Sequence, residues 1–242
     1  MPQTSPPNSQ DHCLKLSQKL EQWQSSFNEL RGIVDIGWRE GITKERKKEY
    51  ETKKKEVQER EQEYRKLKDS MFIEVPGLKE KVFRSDYDFL EEIEKRSKEK
   101  LFGTDRIKFQ NRRLTYLDVG SLNIDSLPNL PASLEVLGCS NTQISSLELP
   151  ASLKRLDCSN TQISSLKLPQ SLEALYCSNT QISSLELPQS LEWLYCFNSQ
   201  LTSISEFPST LRRADLRDNQ FSEKEKERIR QDAEAKNVEL TI

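Results

Sequence analysis

The stretch SLEVLGCSNTQISSLELPA, residues 133–151, returns almost unchanged as SLKRLDCSNTQISSLKLPQ at 152–170 and as SLEALYCSNTQISSLELPQ at 171–189. A looser fourth copy begins at Ser190. A unit this short cannot bury a core alone, so the units must stack into a solenoid. Aligned on the first leucine, six units begin at Leu114, Leu134, Leu153, Leu172, Leu191 and Leu211. Leu134, Leu137, Cys139 and their equivalents point into one stacked core, and the short strand between them pairs in parallel with that of the next unit. Pro150, Pro169, Pro188 and Pro208 fall on the return path, where an extended backbone suits a ring that cannot donate. Such a unit leaves no room for a return helix. Where near-identical copies differ, the fold has not dictated the residue.

Each unit reads L-x-x-L-x-(C/L/V)-x-x-(T/S/N)-x-(I/L/F), apart from Leu122 in the first and Ala214 in the last. This pattern resembles the leucine-rich repeat, and more narrowly the short-repeat bacterial type found in secreted effectors. The run Ser126-Leu127-Pro128-Asn129-Leu130-Pro131 matches that type's connection best, and later copies shorten it to forms such as Leu147-Glu148-Leu149-Pro150. The resemblance covers about 110–242. It implies a parallel, concave sheet with an extended convex side. It also implies an asparagine at the ninth position. Here that column holds Thr142, Thr161, Thr180, Ser199 and Asn219, which suggests a hydroxyl ladder. Asn141, Asn160, Asn179 and Asn198 lie one place earlier, at the expected exposed end of the strand.

Outside the repeats the chain reads as helical, so the fold class expected is α+β. Residues 1–10 have the composition of a disordered tail. Cys13, Leu16, Leu20, Trp23, Phe27, Leu30 and Val34 are then spaced alternately three and four apart, the stripe of an amphipathic helix. Gly37 and Gly41 mark a turn. A second helix is expected from Thr43 to Phe72. Charged side chains of both signs dominate it from Lys44 to Asp69, while Tyr50, Val57, Tyr64 and Met71 fall seven apart. Residues 11–79 thus read as an intramolecular hairpin or as a coiled coil that makes a homodimer through 11–72. After the break at Val75-Pro76-Gly77, residues 80–113 read as an N-terminal cap. It would hold a helix from about Ser85, lined by Tyr87, Leu90, Ile93 and Leu101, and a short strand at Ile107 and Phe109. The repeats occupy 114–221. Ser222-x-x-Glu225 is a capping box that opens a helix to about Ala235, and Val238, Leu240 and Ile242 alternate as a closing strand.

Composition excludes several classes. A net charge of −2 argues against general affinity for nucleic acid. No run approaches the roughly 18 apolar residues of a membrane span. The start shows no signal-peptide pattern, so the expected place is the cytoplasm, or outside by export without a cleavable signal. His12 is the one histidine, and no Gly-rich phosphate loop occurs. No catalytic residue, metal site or cofactor is expected, and the chain reads as a non-enzyme. Cys139, Cys158, Cys177 and Cys196, evenly spaced by one repeat, read as reduced core residues, because an in-line ladder does not converge four sulfurs on one ion.

The copies differ on the outward strand positions. The third position holds Val136, Arg155, Ala174, Trp193 and Arg213; the fifth holds Gly138, Asp157, Tyr176, Tyr195 and Asp215; Phe197 and Arg217 share the next column. Tyr176, Trp193, Tyr195 and Phe197 should therefore cluster, flanked by Arg213 and Arg217 on one side and by Arg155 and Asp157 on the other. Trp, Tyr and Arg are the residues enriched in interface hot spots. The leading expectation is a non-catalytic module that binds a protein partner on the concave face through these eight residues. One alternative is a structural protein that assembles through its helices. Another is a repeat-only relative of the effector ubiquitin ligases that the resemblance brings in, since the chain ends shortly after the last repeat.

Overall fold

The computed structural model describes residues 44–74 and 81–242, together with 18, 19, 21, 22, 24–26, 28 and 29. The chain divides into two compact units, Met1–Ser85 and Asp86–Ile242. The apolar stripe from Cys13 to Val34, the glycine turn at 37–41 and the break at 75–77 lie outside the described residues.

In the first unit the described residues between 18 and 29 are helical, and helix α1 runs Lys44–Met71. Polar contacts join them in an antiparallel register. Lys19 meets Glu63 at 2.5 Å, Arg60 donates to the Gln22 carbonyl at 3.1 Å, and Lys53 pairs with Glu29. Arg60 also donates to the Ser26 hydroxyl at 2.5 Å, and Ser26 is fully buried. From Lys19 to Glu29 the contacts climb ten residues while they descend ten along α1, from Glu63 to Lys53, so the two segments run antiparallel. Strands β1 (Phe72–Ile73) and β2 (Val82–Phe83) then pair antiparallel, with the Phe72 and Phe83 rings 4.6 Å apart.

Helix α2 (Arg84–Ser97) leads into the second unit and buries Asp86, Phe89, Leu90 and Ile93. Tyr87 is half-buried and stacks on Phe102 at 4.9 Å. Strands β3 (Ile107–Gln110) and β4 (Arg113–Asp118) form an antiparallel hairpin. Its two turn residues, Asn111 and Arg112, both have positive φ, as the tight turns that fit strand twist require.

From β4 onward the sheet is parallel. It continues through β5 (Val136–Gly138), β6 (Arg155–Asp157), β7 (Ala174–Tyr176), β9 (Trp193–Tyr195), β11 (Arg213–Asp215) and β12 (Glu239–Thr241). Two short strands, β8 (Ser184–Leu185) and β10 (Ser203–Ile204), pair separately in parallel. Helix α3 (Glu223–Lys236) starts at an N-cap, Ser222, whose hydroxyl accepts from the Glu225 N–H at 3.2 Å. It ends at Asn237 in the left-handed region. Asp232 fastens α3 to the last coil, accepting from the Phe207 N–H at 2.6 Å and from Lys236.

Each core column of the repeats is fully or almost fully buried: Leu137, Leu156, Leu175 and Leu194; Cys139, Cys158, Cys177 and Cys196; Ile144, Ile163 and Ile182. Those four thiols are free, and burial pushes that of Cys139 up to about 12. Burial likewise raises Cys158 and Cys177 well above the ordinary thiol value. Thiolate is the reactive form. Those three thiols, and that of Cys196 because it is fully buried, are expected to resist a maleimide in the native protein and to react only in denaturant, which mass spectrometry of the peptides would show. Labelling of Cys158 at the rate of a free thiol would contradict the packed core.

The polar columns behave differently from a simple ladder. Thr142, Thr161 and Thr180 each donate to the carbonyl three residues back, Cys139, Cys158 and Cys177, at 2.7–2.8 Å. Each hydroxyl thus closes its own turn. Within this column, links between coils appear only toward the end, where Ser199 donates to the Cys177 carbonyl at 3.1 Å and Asn219 to the Cys196 carbonyl at 2.7 Å. The asparagine column has a backbone role instead. Asn141, Asn160, Asn179 and Asn198 have φ of 50–56°, a region that asparagine tolerates and β-branched residues resist. Asn160→Gly should stay within about 0.5 kcal/mol of wild type, whereas Asn160→Val should cost about 1–2 kcal/mol. Equal urea midpoints for the two variants would remove the backbone explanation.

Candidate functional site

The sheet face turned away from the core carries three columns. Register places Val136, Arg155, Ala174, Trp193, Arg213 and Glu239 side by side in one. Gly138, Asp157, Tyr176, Tyr195, Asp215 and Thr241 form the second. Phe197 and Arg217 follow the ends of β9 and β11 in the third, where the Asn198 N–H bonds to the Arg217 carbonyl at 2.9 Å. The eight residues singled out from the copies therefore share one face.

The aromatic part is tightly organised. The Tyr176 and Tyr195 rings are parallel within 3° and 5.1 Å apart. The Arg213 guanidinium lies 5.9 Å from the Tyr195 ring centre, and that of Arg217 lies 5.8 Å from the Phe197 ring centre. Such stacking is worth about 0.5–1 kcal/mol per pair at exposed sites. Among the described residues Trp193 is the one large apolar side chain left exposed, at 37%. Beside it in the register, Ala174 is only 3% exposed.

The carboxylates on this face have structural work. Asp118 accepts from the Gly120 N–H at 2.8 Å and Asp157 from the Ser159 N–H at 3.0 Å, in each case two residues on. Asp215 holds Arg217 through two bonds of 2.9 and 2.7 Å. The Arg217 hydrogen bond keeps the Asp215 carboxyl below its ordinary value, and the same bond raises Arg217. Asp157 therefore belongs first to its own turn, although it lies beside the aromatic cluster. Arg213 pairs with Glu239 at 3.4 Å, and its Nε is buried without a hydrogen-bond partner.

Two features were not visible in the differences among copies. At Gly138 a Cβ would come within 3.1 Å of Asp118 Oδ1, a close contact across two coils. The Asp118 side chain would have to give by a few tenths of an ångström, although the next coil places Tyr176 beside the equivalent Asp157. Second, the serine that opens each copy ties coils together. Ser133, Ser152, Ser171 and Ser190 donate to the carbonyls of Leu114, Leu134, Leu153 and Leu172 at 2.6–2.8 Å, and Thr210 does the same to Leu191. Its signal was the unchanged serine itself.

Among the described residues no group of His, Cys, Asp and Glu is arranged to hold a metal ion, and no helix is long and apolar enough to cross a membrane. No family model and no curated protein matches the chain. Solved structures do. YopM from Yersinia enterocolitica WA-314 aligns at 38% identity over 45% of this chain and 25% of that chain, with a TM-score of 0.44. A leucine-rich-repeat protein of Leptospira interrogans aligns at 25% identity over 53% of this chain and 43% of its own, with a TM-score of 0.39. The leucine-rich-repeat domain of a Shigella effector aligns at 25% identity over 62% of this chain and 70% of its own, with a TM-score of 0.36. The chain thus spans less than half the length of the first two. With its short repeated coils, stacked leucine columns and parallel sheet, the second unit is a leucine-rich-repeat solenoid, similar to the repeat domains of these bacterial proteins.

Proposed function

We propose that the chain is a non-catalytic protein-binding module that receives its partner on the outer face of the sheet, around Trp193. The observation that carries this reading is the exposed indole of Trp193 beside the stacked Tyr176 and Tyr195 and the arginines 213 and 217. An exposed tryptophan set among tyrosine and arginine is the composition of an interface centre. The solenoid frame holds these side chains on hydrogen-bonded strands, so little ordering is left to be done on binding.

The test is capture of a partner by the full chain and by Trp193→Ala/Tyr195→Ala. The double variant should keep its fold, because neither ring belongs to the core columns. It should lose at least about tenfold in affinity, as hot-spot truncations do. A control variant on another face, Gln143→Ala, should bind normally. Unchanged capture by the double variant, or its unfolding, would count against the site. The helical unit supports a positioning role. Its antiparallel polar contacts favour an intrachain hairpin over a homodimer through 11–72, and light scattering of the chain should give the monomer mass of 28.2 kDa.

A further inference from the structure

Helix α1 is charged unevenly around its axis. Residues 44–55 hold seven basic side chains and three acidic ones, in a chain whose net charge is −2. Val57, which is buried, and Arg60, which bonds to Ser26, mark the side of α1 that meets the first helix. At about 100° per residue, Lys44, Lys48, Lys55 and Lys66 fall in one line on the opposite side, with Lys47, Lys54 and Arg65 on its shoulder. All seven are exposed, and from 44 to 66 that side carries two carboxylates, Glu51 and Glu59, and no apolar side chain. The other glutamates of α1 lie off it. Glu56 takes Lys53 and Arg60, Glu61 takes Arg65, and Glu63 takes Lys19. Glu45 and Glu49 stand on the line of Glu56 and Glu63. Lys44, Lys47, Lys48 and Lys54 have no ion pair among the described residues, and Lys55 meets Glu59 only at 3.8 Å.

This excess does not serve the helix. The N-terminal pole of a helix is positive and favours acidic side chains. Helix α3 follows that rule with Glu223 and Glu225 in its first turn, and α2 with Asp86 there and Lys95 and Arg96 in its last. Helix α1 instead opens with Lys44, Lys47 and Lys48 around Glu45. We propose that this side of α1, distinct from the sheet face, rests on the surface of an anionic lipid bilayer. Basic residues clustered on a helix are drawn to anionic headgroups, each contributing about fivefold to partitioning. The stripe runs about 17 Å from Lys44 to Lys55 and about 33 Å to Lys66. A straight line of charge stays against a plane over that whole length. Against a duplex it can follow the curved phosphate backbone only within a groove about 12 Å wide. Among the described residues the stripe also has one arginine and no exposed ring, the groups that read base edges and stack on bases. With no apolar side chain on that side, the helix lies on the headgroups and does not insert among the acyl chains.

The experiment is co-sedimentation of the full chain with vesicles of phosphatidylcholine, with and without phosphatidylserine. Vesicles with phosphatidylserine should bind at least about tenfold tighter, and added salt should release the chain. Lys44→Gln/Lys48→Gln/Lys55→Gln should lose at least about tenfold in this binding. Its helix content by circular dichroism should not fall, because lysines near a helix N-terminus oppose the dipole. Glu51→Lys, which adds a charge to the same stripe, should bind about fivefold tighter, a gain that no loss of fold could produce. Lys100→Gln/Lys167→Gln/Lys224→Gln removes the same charge from exposed positions of the second unit and should bind as wild type. So should Trp193→Ala/Tyr195→Ala, which keeps this surface separate from the sheet face. Equal binding to the two kinds of vesicle would overturn the proposal, as would binding indifferent to both stripe variants. Displacement from the vesicles by duplex DNA or by polyglutamate, at a matched concentration of negative charge, would overturn it in favour of that polyanion.

Discussion

Replacing Leu156 with alanine is expected to remove about 2–5 kcal/mol of stability, with the upper half of that range favoured. Leu156 is fully buried at the centre of β6, in register with Leu137 on one side and Leu175 on the other. The cost of a truncation depends on how far its surroundings can close the void. In this core they can close very little. The flanking strands are held at a fixed spacing by bonds such as Cys139 N–H to the Asp157 carbonyl at 2.7 Å and Cys158 N–H to the Tyr176 carbonyl at 2.8 Å. A solenoid also has no second layer of coils to repack, because each unit touches only its neighbours. Leu166→Ala, at a half-buried position on the return side, should cost clearly less. Urea unfolding of both variants gives the comparison. A loss below about 1 kcal/mol for Leu156→Ala would mean that the coils can slide together. The natural exception agrees with this reasoning: in the last repeat the column holds Ala214, beside Leu240 of β12, where helix α3 adds Ile229 and Ala233 to the same core.

What could be read from the chain was whatever recurs with its period. The leucine, cysteine and isoleucine columns recur once per coil, and so the core was legible. The aromatic cluster was legible by the same rule, since equal offsets in successive coils must fall side by side on one sheet. The charged helix was also legible, and α1 ends within one residue of its expected bounds. The close approach of Asp118 to Gly138, 3.1 Å from where a Cβ would stand, could not be read from the differences, because it comes from a side chain one coil away. The asparagine column was placed correctly but for an incomplete reason. A positive φ is a backbone property, and a residue beside a buried threonine does not announce it. The hairpin register was hidden because it rests on which of many lysines and glutamates meet, as Lys19 and Glu63 do. In a segment so rich in both signs, the composition allows many pairings.

Asp86→Ala is expected to cost about 3–5 kcal/mol, the usual penalty for removing one partner of a buried ion pair. Periodicity could not reveal this residue, which lies outside the repeats and acts 27 and 28 positions away. Its side chain is 1% exposed. It takes two bonds from the Arg113 guanidinium, at 3.0 and 3.1 Å, and one from the Leu114 N–H at 2.7 Å. It also sits in the first turn of α2, where the helix dipole favours a negative charge. Three separate terms thus favour the carboxylate in place. Together they fasten the capping helix to β4, the first strand whose Leu114 and Leu117 enter the repeat core. Removing it strips the Leu114 N–H of its acceptor and takes two bonds from the Arg113 guanidinium. A double variant, Asp86→Leu/Arg113→Met, separates charge from packing. It should recover much of the loss, because a well-packed apolar pair often replaces a buried ion pair at little cost. Hydrogen exchange should show β3 and β4 of the single variant opening before β6 and β7, since damage to one end of a stack spreads through neighbours. If Asp86→Ala unfolds no earlier than wild type in urea, then Leu90, Ile93 and Leu101 hold the cap by apolar packing, and the ion pair merely sets its orientation.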